Sequence, residues 1–323
     1  MSKCILCGSD SELYEEYSVD DLVKGYEHHY GKVPNDIFDE ACSMRKCKKC
    51  GLVFADPIKG GSNKYYEWVT KQKGYYTSFR WEWMKIAEYI NSVKKSDIKL
   101  IEVGCGVGFF LDYIMDKCPE ISAVGIDMTK TSVEECRRKG HEAFCGTLED
   151  YIAKNPSQKA DYVMSFHTLE HVYNPKQFVL EMLSICKDDG LCINAIPYTV
   201  DTKTPWWDVL NSPPHHMTRW NKSAIEELGR QTDCRIEILA NDNFNPYNET
   251  MGMLKLKYYP VYKQPSNRLI DFKLRIIKSA EYKKELERNL NREKIGCTNS
   301  IGEEVKEITI PYHITMIFRK NMN

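Results

Sequence analysis

Three glycines, Gly104, Gly106 and Gly108, stand at alternate positions behind the apolar run Leu100 to Val103 and ahead of Phe109 to Met115. The first run reads as a short buried strand and the second as a helix. Lacking a Cβ, the glycines let the backbone turn sharply and approach a ligand closely, and the helix behind them offers free N–H groups to it. Asp127 closes the next apolar strand, Ser122 to Ile126, about 20 residues further on, where an acidic side chain can bind ribose hydroxyls. The chemistry this spacing predicts is the binding of a nucleotide-type cofactor.

A second chemical signal lies in the first fifty residues. Cys4-x-x-Cys7-Gly8 and Cys47-x-x-Cys50-Gly51 form two knuckles, each holding two thiolates on one tight turn. Together Cys4, Cys7, Cys47 and Cys50 supply the four soft ligands of a tetrahedral, structural zinc site. Such a closed site has no open coordination position, so its expected role is support, substrate positioning or a protein contact. The long stretch between the knuckles implies an inserted hairpin or helix, in which Cys42 is a spare thiol and His28 and His29 are surface residues. The other eight of the 13 cysteines are scattered from Cys105 onward, as expected of buried free thiols in a reducing compartment.

The third signal is imidazole. His167 and His171 follow the apolar run 161–166, and Ser212 to Trp220 carries Pro213, Pro214, His215, His216, Arg219 and Trp220 together. The prolines stiffen that loop, and so dense a set of polar and aromatic groups is hard to explain by packing alone. Arg219 could pair with a phosphate or carboxylate and Trp220 could stack on a sugar or base. His167 and His171 are four apart but have no third ligand at matching spacing, so a metal pair is not the expected role.

These residues need a scaffold, and the pattern supplies one. Strands expected at 98–103, 122–126, 142–145, 161–166 and 190–196 alternate with helices, which implies parallel pairing and right-handed crossovers. A helix capped by Asn221, a sixth strand from Arg235 to Ala240 and a seventh from His313 to Arg319 follow. Residues 247–300 form an insertion with a charged helical run, Ala280 to Lys294. Trp83, Ile86, Ala87 and Ile90 recur at helical spacing and should face the core. The charge balance is nearly even, with 45 Lys and Arg against 46 Asp and Glu, so no global basic field draws nucleic acid. No apolar run approaches the roughly 20 residues that span a bilayer, and the first residues lack a secretory signal's apolar core, so a cytoplasmic location is expected.

The glycine segment, Glu102-x-Gly104-Cys105-Gly106-x-Gly108, resembles the first motif of class I S-adenosylmethionine (SAM) dependent methyltransferases. The resemblance continues in order. Asp127, with Met128 beside it, matches the ribose-binding acid. Gly146 to Asp150 matches the loop after the third strand, which places Thr147 and Leu148 near adenine. Ser165 to Val172, containing Leu169-Glu170-His171-Val172, is similar to the signature after the fourth strand, and Gly190 to Asn194 matches the fifth. These motifs cover roughly residues 90 to 240. They imply an α/β fold: a Rossmann-like seven-stranded methyltransferase sheet, an N-terminal zinc-ribbon module and a helical insertion between the last two strands. The expected division is a zinc ribbon over 1–61, an aromatic lid or linker over 62–95 and the SAM domain over 96–323.

In such enzymes the segment around Tyr75 and Tyr76 lids the cofactor, so either could contact the SAM carboxylate. Leu52 to Pro57 resembles the zinc-ribbon start of bacterial sugar and polysaccharide methyltransferases. The Pro-Pro-His-His-x-x-Arg-Trp run is similar to a feature of the same group. The resemblance implies a small polar acceptor, most readily a hydroxyl of a sugar, nucleotide sugar or glycan. His167, His215 or His216 is then the candidate base, His167 doubling as a cofactor contact, and His171, Tyr198, Arg219 and Trp220 line the acceptor side. Asn194-Ala-Ile-Pro197-Tyr198 lacks the first proline of the Asn-Pro-Pro-Tyr motif and follows a different strand, which argues against amino methylation of bases. The competing readings are a zinc-ribbon RNA methyltransferase, a sugar C-methyltransferase and a non-catalytic SAM-binding protein. Oligomeric state is not encoded in any recognisable pattern.

Overall fold

The computed structural model describes residues 2–38, 40–198, 208–240, 245–259, 268–292, 294–309 and 313–321. The chain opens with β1 (Ser11–Tyr17), α1 (Val19–Tyr30), β2 (Cys42–Cys47) and β3 (Val53–Asp56). The inserted element expected between the cysteine knuckles is therefore β1 with α1. Ser18 caps α1 through a reciprocal capping box with Asp21. His29, expected at the surface, is instead 7% exposed, on the inward face of α1 with Tyr26 and Leu22. α2 (Asn63–Val69) and α3 (Trp81–Val93) lead to the main sheet, and Trp83, Ile86, Ala87 and Ile90 of α3 are all buried as their spacing predicts.

The main sheet begins with β4 (Ile98–Val103), α4 (Phe109–Lys117), β5 (Ile121–Asp127), α5 (Lys130–Arg138), β6 (Glu142–Cys145) and α6 (Leu148–Lys154). It continues through β7 (Ala160–Phe166), a single 3₁₀ turn (Leu169–His171), α7 (Pro175–Ser184) and β8 (Cys186–Pro197). After the short β9 (Thr218–Arg219) come α8 (Lys222–Thr232), capped by Asn221, and β10 (Cys234–Leu239). An insertion of α9 (Pro246–Tyr258), α10 (Arg268–Ile277), α11 (Ser279–Leu290) and a hairpin of β11 (Lys294–Cys297) and β12 (Lys306–Thr309) precedes β13 (His313–Lys320). The insertion is thus part β and runs beyond the expected residue 300, while its residues 260–267 fall outside those described.

The strand order is β10-β13-β8-β7-β4-β5-β6, with β4 to β8 parallel and β13 antiparallel to both neighbours. Parallel strands covered on both faces should read as continuous apolar runs, and β7 is buried at every position. One face packs against α3, α4 and α5, through Trp83, Ile90, Leu111 and Val133. The other carries α7, α8 and the cysteine module, where Leu52 and Phe54 share a core with Val163, Met182 and Trp220. The module is not a separate body. Its sheet runs β1-β2-β3-β9, so two residues that follow the proline-histidine loop complete it. Among the described residues, no helix is long and apolar enough to cross a membrane.

Candidate active site

The glycine loop leaves β4 at the carboxyl edge of the sheet, where open α/β sheets bind ligands. Gly106 has φ 52°, and a Cβ there would lie 2.5 Å from Cε1 of Tyr76. Tyr76 covers the loop and reaches across it to Ser132 Oγ at 3.0 Å. Asp127 clasps the same loop: Oδ2 accepts from Gly106 N–H at 2.9 Å, and Oδ1 accepts from Thr129 N–H at 2.7 Å. Burial nevertheless raises the Asp127 pKa against these bonds.

Glu102 is 3% exposed, with Oε2 lacking any hydrogen-bond partner, and burial pushes its pKa well above the carboxylate range. An orphaned buried carboxyl oxygen beside a cradle that only glycine fits suits a ligand bearing an ammonium group, as SAM does. The other expected cofactor residues contribute less. The Cys105 side chain points into the core against Gly125. Leu148 is buried and Thr147 uses its hydroxyl and N–H in a capping box with Asp150, while Met128 is 69% exposed at the rim.

Three imidazoles cluster beyond Tyr75, whose ring stacks edge-on with Tyr76 (5.0 Å) and with His215 (5.6 Å). His171, His215 and His216 have ring centroids 4.5, 5.0 and 5.0 Å apart. Their loop is stitched in place by backbone bonds, Met217 N–H to Glu170 C=O at 2.7 Å and Gly61 N–H to Pro214 C=O at 3.1 Å. Burial, reinforced by the neighbouring imidazoles, pushes His215 and His216 well below the usual histidine range.

His167 follows β7 with φ 53°, its Nε2 2.7 Å from an Arg80 guanidinium N and its Nδ1 3.5 Å from Glu170 Oε1. Burial alone would lower its pKa, but Glu170 and Glu82 outweigh that and raise it. Glu170 is fully buried, and neither carboxylate oxygen has a hydrogen-bond partner.

Arg80, Glu82, Tyr66 and His313 join this site without having been singled out in the sequence. The ring of His313 lies 4.9 Å from that of His167. It starts β13 opposite Pro197, the last residue of β8. An antiparallel strand begins where its parallel neighbours end, and that rule could have found it.

Three expected acceptor residues lie elsewhere. Arg219 is 2% exposed and donates to Glu15 Oε2 at 2.5 Å, Tyr17 Oη at 2.9 Å and the Asn211 carbonyl at 2.7 Å. It fastens β9 to β1 and is not free for a ligand. Trp220 is wholly buried, its Nε1–H bonded to Thr218 Oγ1 at 3.0 Å. Tyr198 is 1% exposed and its hydroxyl accepts from Lys222 N–H, which ties β8 to the start of α8.

At the far end of the module, the Sγ atoms of Cys4, Cys7, Cys47 and Cys50 all lie within 4.8 Å of one another, with Cys4–Cys50 at 3.8 Å and Cys7–Cys47 at 3.5 Å. Four thiolates at about 2.3 Å from one ion sit about 3.8 Å apart, so this donor set fits tetrahedral zinc. The backbone N–H groups of Lys49 and Cys50 donate to Cys47 Sγ at 3.4 Å, as a knuckle requires.

Comparison with known proteins agrees with this frame. Residues 79–238 match the family model described as a methyltransferase domain. A probable SAM-dependent methyltransferase of Mycolicibacterium smegmatis is 27% identical over 43% of this chain and 52% of its own length. Malonyl-[acyl-carrier protein] O-methyltransferase 2 of Ilyobacter polytropus is 24% identical over 48% of this chain and 63% of its own. The chain therefore spans between about half and two thirds of these relatives. A solved SAM-dependent methyltransferase from Archaeoglobus fulgidus aligns with 75% of this chain and 95% of its own, at 17% identity and a TM-score of 0.45.

Proposed function

We propose that the protein transfers the methyl group of SAM to an oxygen of a small polar acceptor, most readily a sugar or nucleotide-sugar hydroxyl. The observation that carries the cofactor is the clasp of Asp127 on Gly106 beneath Tyr76. When bound, SAM supplies an electrophilic methyl: the acceptor oxygen bonds to its carbon, the carbon–sulfur pair stays on sulfur, S-adenosylhomocysteine leaves and the hydroxyl proton goes to the protein. The chain's part is to hold the acceptor in line, exclude water and take that proton.

His167 is the assigned base. Its Nδ1 faces Glu170, which orients the ring, and Nε2, now paired with Arg80, is the atom that receives the proton. Tyr75 and Tyr76 close the cofactor side, and His171, His215 and His216 wall the acceptor side. Several relatives are named as O-methyltransferases, of malonyl-[acyl-carrier protein] and in ubiquinone biosynthesis, which supports an oxygen acceptor. The sugar class rests on the motif resemblance of residues 52–57 and 213–220. We assign zinc to the four-cysteine centre as a structural ion.

The test is calorimetric titration with SAM, followed by incubation of labelled SAM with panels of nucleotide sugars, glycans and RNA. SAM binding with label appearing in a sugar hydroxyl is the expected result. Absence of SAM binding would sink the cofactor assignment, and label entering RNA alone would replace the acceptor. His167→Gln should lower turnover more than SAM affinity.

A further inference from the structure

We propose that His171, His215 and His216 form a second metal centre, for one divalent transition ion that favours imidazole ligands, such as Zn²⁺ or Co²⁺. The three come from two separate segments, the turn after β7 and the loop before β9. One nitrogen from each lies within 4.8 Å of the other two. An ion about 2.1 Å from a ring nitrogen sits about 3.2 Å from the ring centroid, so rings at angles of about 90–110° have centroids about 4.5–5.3 Å apart. The observed spacings, 4.5, 5.0 and 5.0 Å, fall in that window.

The second layer of contacts favours ligation over plain packing. His171 Nδ1 lies 2.6 Å from the His215 carbonyl, which can only accept, so the proton is on Nδ1 and Nε2 keeps its lone pair. His216 Nδ1 faces Asn211 Oδ1 at 3.2 Å, which leaves its Nε2 in the same state. Metal-bound imidazoles are oriented in this way by carbonyl partners on the outer nitrogen. His215 Nδ1 is buried with no hydrogen-bond partner, and so are both oxygens of Glu170, one of which is 3.7 Å from His216 Nε2. A buried ring nitrogen left without a partner is costly, and an ion held by the three rings would satisfy it, while the Glu170 carboxylate, already facing His167, adds favourable charge nearby.

Three protein ligands leave a coordination position open, as in catalytic and not structural sites. Ring contacts from His215 to Tyr75 and from Tyr75 to Tyr76 lead to Gly106. Resting on the methyltransferase reading, the open position takes the acceptor oxygen and makes its proton easier to remove. Such an ion would narrow the acceptor to one with an oxygen able to ligate it.

Metal-stripped full-length protein should be reloaded with Co²⁺ and read by elemental analysis and absorption, with no SAM present. The expected result is one cobalt with thiolate charge-transfer bands, at the cysteines, and a further equivalent whose bands show nitrogen ligation without sulfur. His216→Ala and, as the milder change, His171→Gln should each lose the second equivalent and keep the thiolate bands, which also report that the variant is folded. The proposal is overturned if the wild type binds no sulfur-free equivalent, or if a folded variant retains it. SAM affinity measured separately distinguishes this failure from failure of the cofactor assignment.

Discussion

Asp127→Ala removes both the expected ribose acceptor and the clasp on the glycine loop. Its carboxylate holds Gly106 N–H at 2.9 Å and Thr129 N–H at 2.7 Å. Hydrogen bonds to a charged group contribute about 1.5–3 kcal/mol each. Loss of the bonds a ribose diol would make there, with a loosened loop, should cost about 3 kcal/mol, or about 100-fold in dissociation constant at 1.4 kcal/mol per decade. Asn at the same position keeps one carbonyl acceptor and loses the charge, so its loss should be nearer tenfold. The ligand-free Ala variant should also be less stable by about 1–3 kcal/mol, since two backbone donors lose their partner. Calorimetry with SAM and S-adenosylhomocysteine gives the affinities, and thermal unfolding without ligand gives the stability. An Ala variant that binds SAM within about threefold of wild type would refute the reasoning, because the ordered scale of the loss, Ala beyond Asn, is its content.

The other predictions are simpler. Gly106→Ala puts a Cβ 2.5 Å from Tyr76 at a φ of 52°, so SAM affinity should fall by about tenfold, and Tyr76→Ala in the same chain should restore part of it. Arg219→Ala removes the cation beside the buried Glu15 carboxylate, which keeps the Tyr17 hydroxyl, and unfolding should show a loss of about 3–5 kcal/mol. Lys at 219 should recover little, because it cannot reproduce the forked contacts to Glu15, Tyr17 and Asn211. Burial would raise the Asp161 carboxyl, but Lys95, the Lys99 N–H and Lys187 outweigh it and hold its pKa at about 2. A depressed carboxylate stabilises the fold above its unfolded pKa and loses that contribution as pH falls. Asp161→Asn should therefore cost about 2 kcal/mol at neutral pH, with the gap to wild type closing between about pH 4 and pH 2 in denaturant titrations.

The core sheet was legible where strands buried on both faces carry apolar runs: the expected strand 161–166 lies within β7, buried throughout, and 98–103 coincides with β4, buried at all positions but Lys99. The glycine loop and Asp127 were legible because their chemistry sits within two consecutive strand–turn units. What depends on partners far along the chain was not. Nothing near Arg219 announces Glu15, about 200 residues earlier, so a buried tether reads as a substrate clamp. β9 is two residues long and carries no pattern of its own. His29, expected at the surface of the insert between the knuckles, is carried to the core by the inward face of α1.

These misses change what the amino-terminal module is for. The loop that holds His215 and His216 runs directly into β9, and β9 pairs with β3 of the cysteine module. Ala55 N–H bonds to the Met217 carbonyl and Met217 N–H to the Glu170 carbonyl, so one residue links the module to the turn that bears His171. Arg219 locks the same register against β1. A closed four-thiolate centre cannot do chemistry, but the sheet it would anchor sets where His215 and His216 stand relative to His167, His171 and His313. The module thus sets the position of His215 and His216. That accounts for Arg219 and Trp220 lying beside the histidines in sequence while being spent on packing: they are the anchors of the loop, and the histidines are what the loop presents.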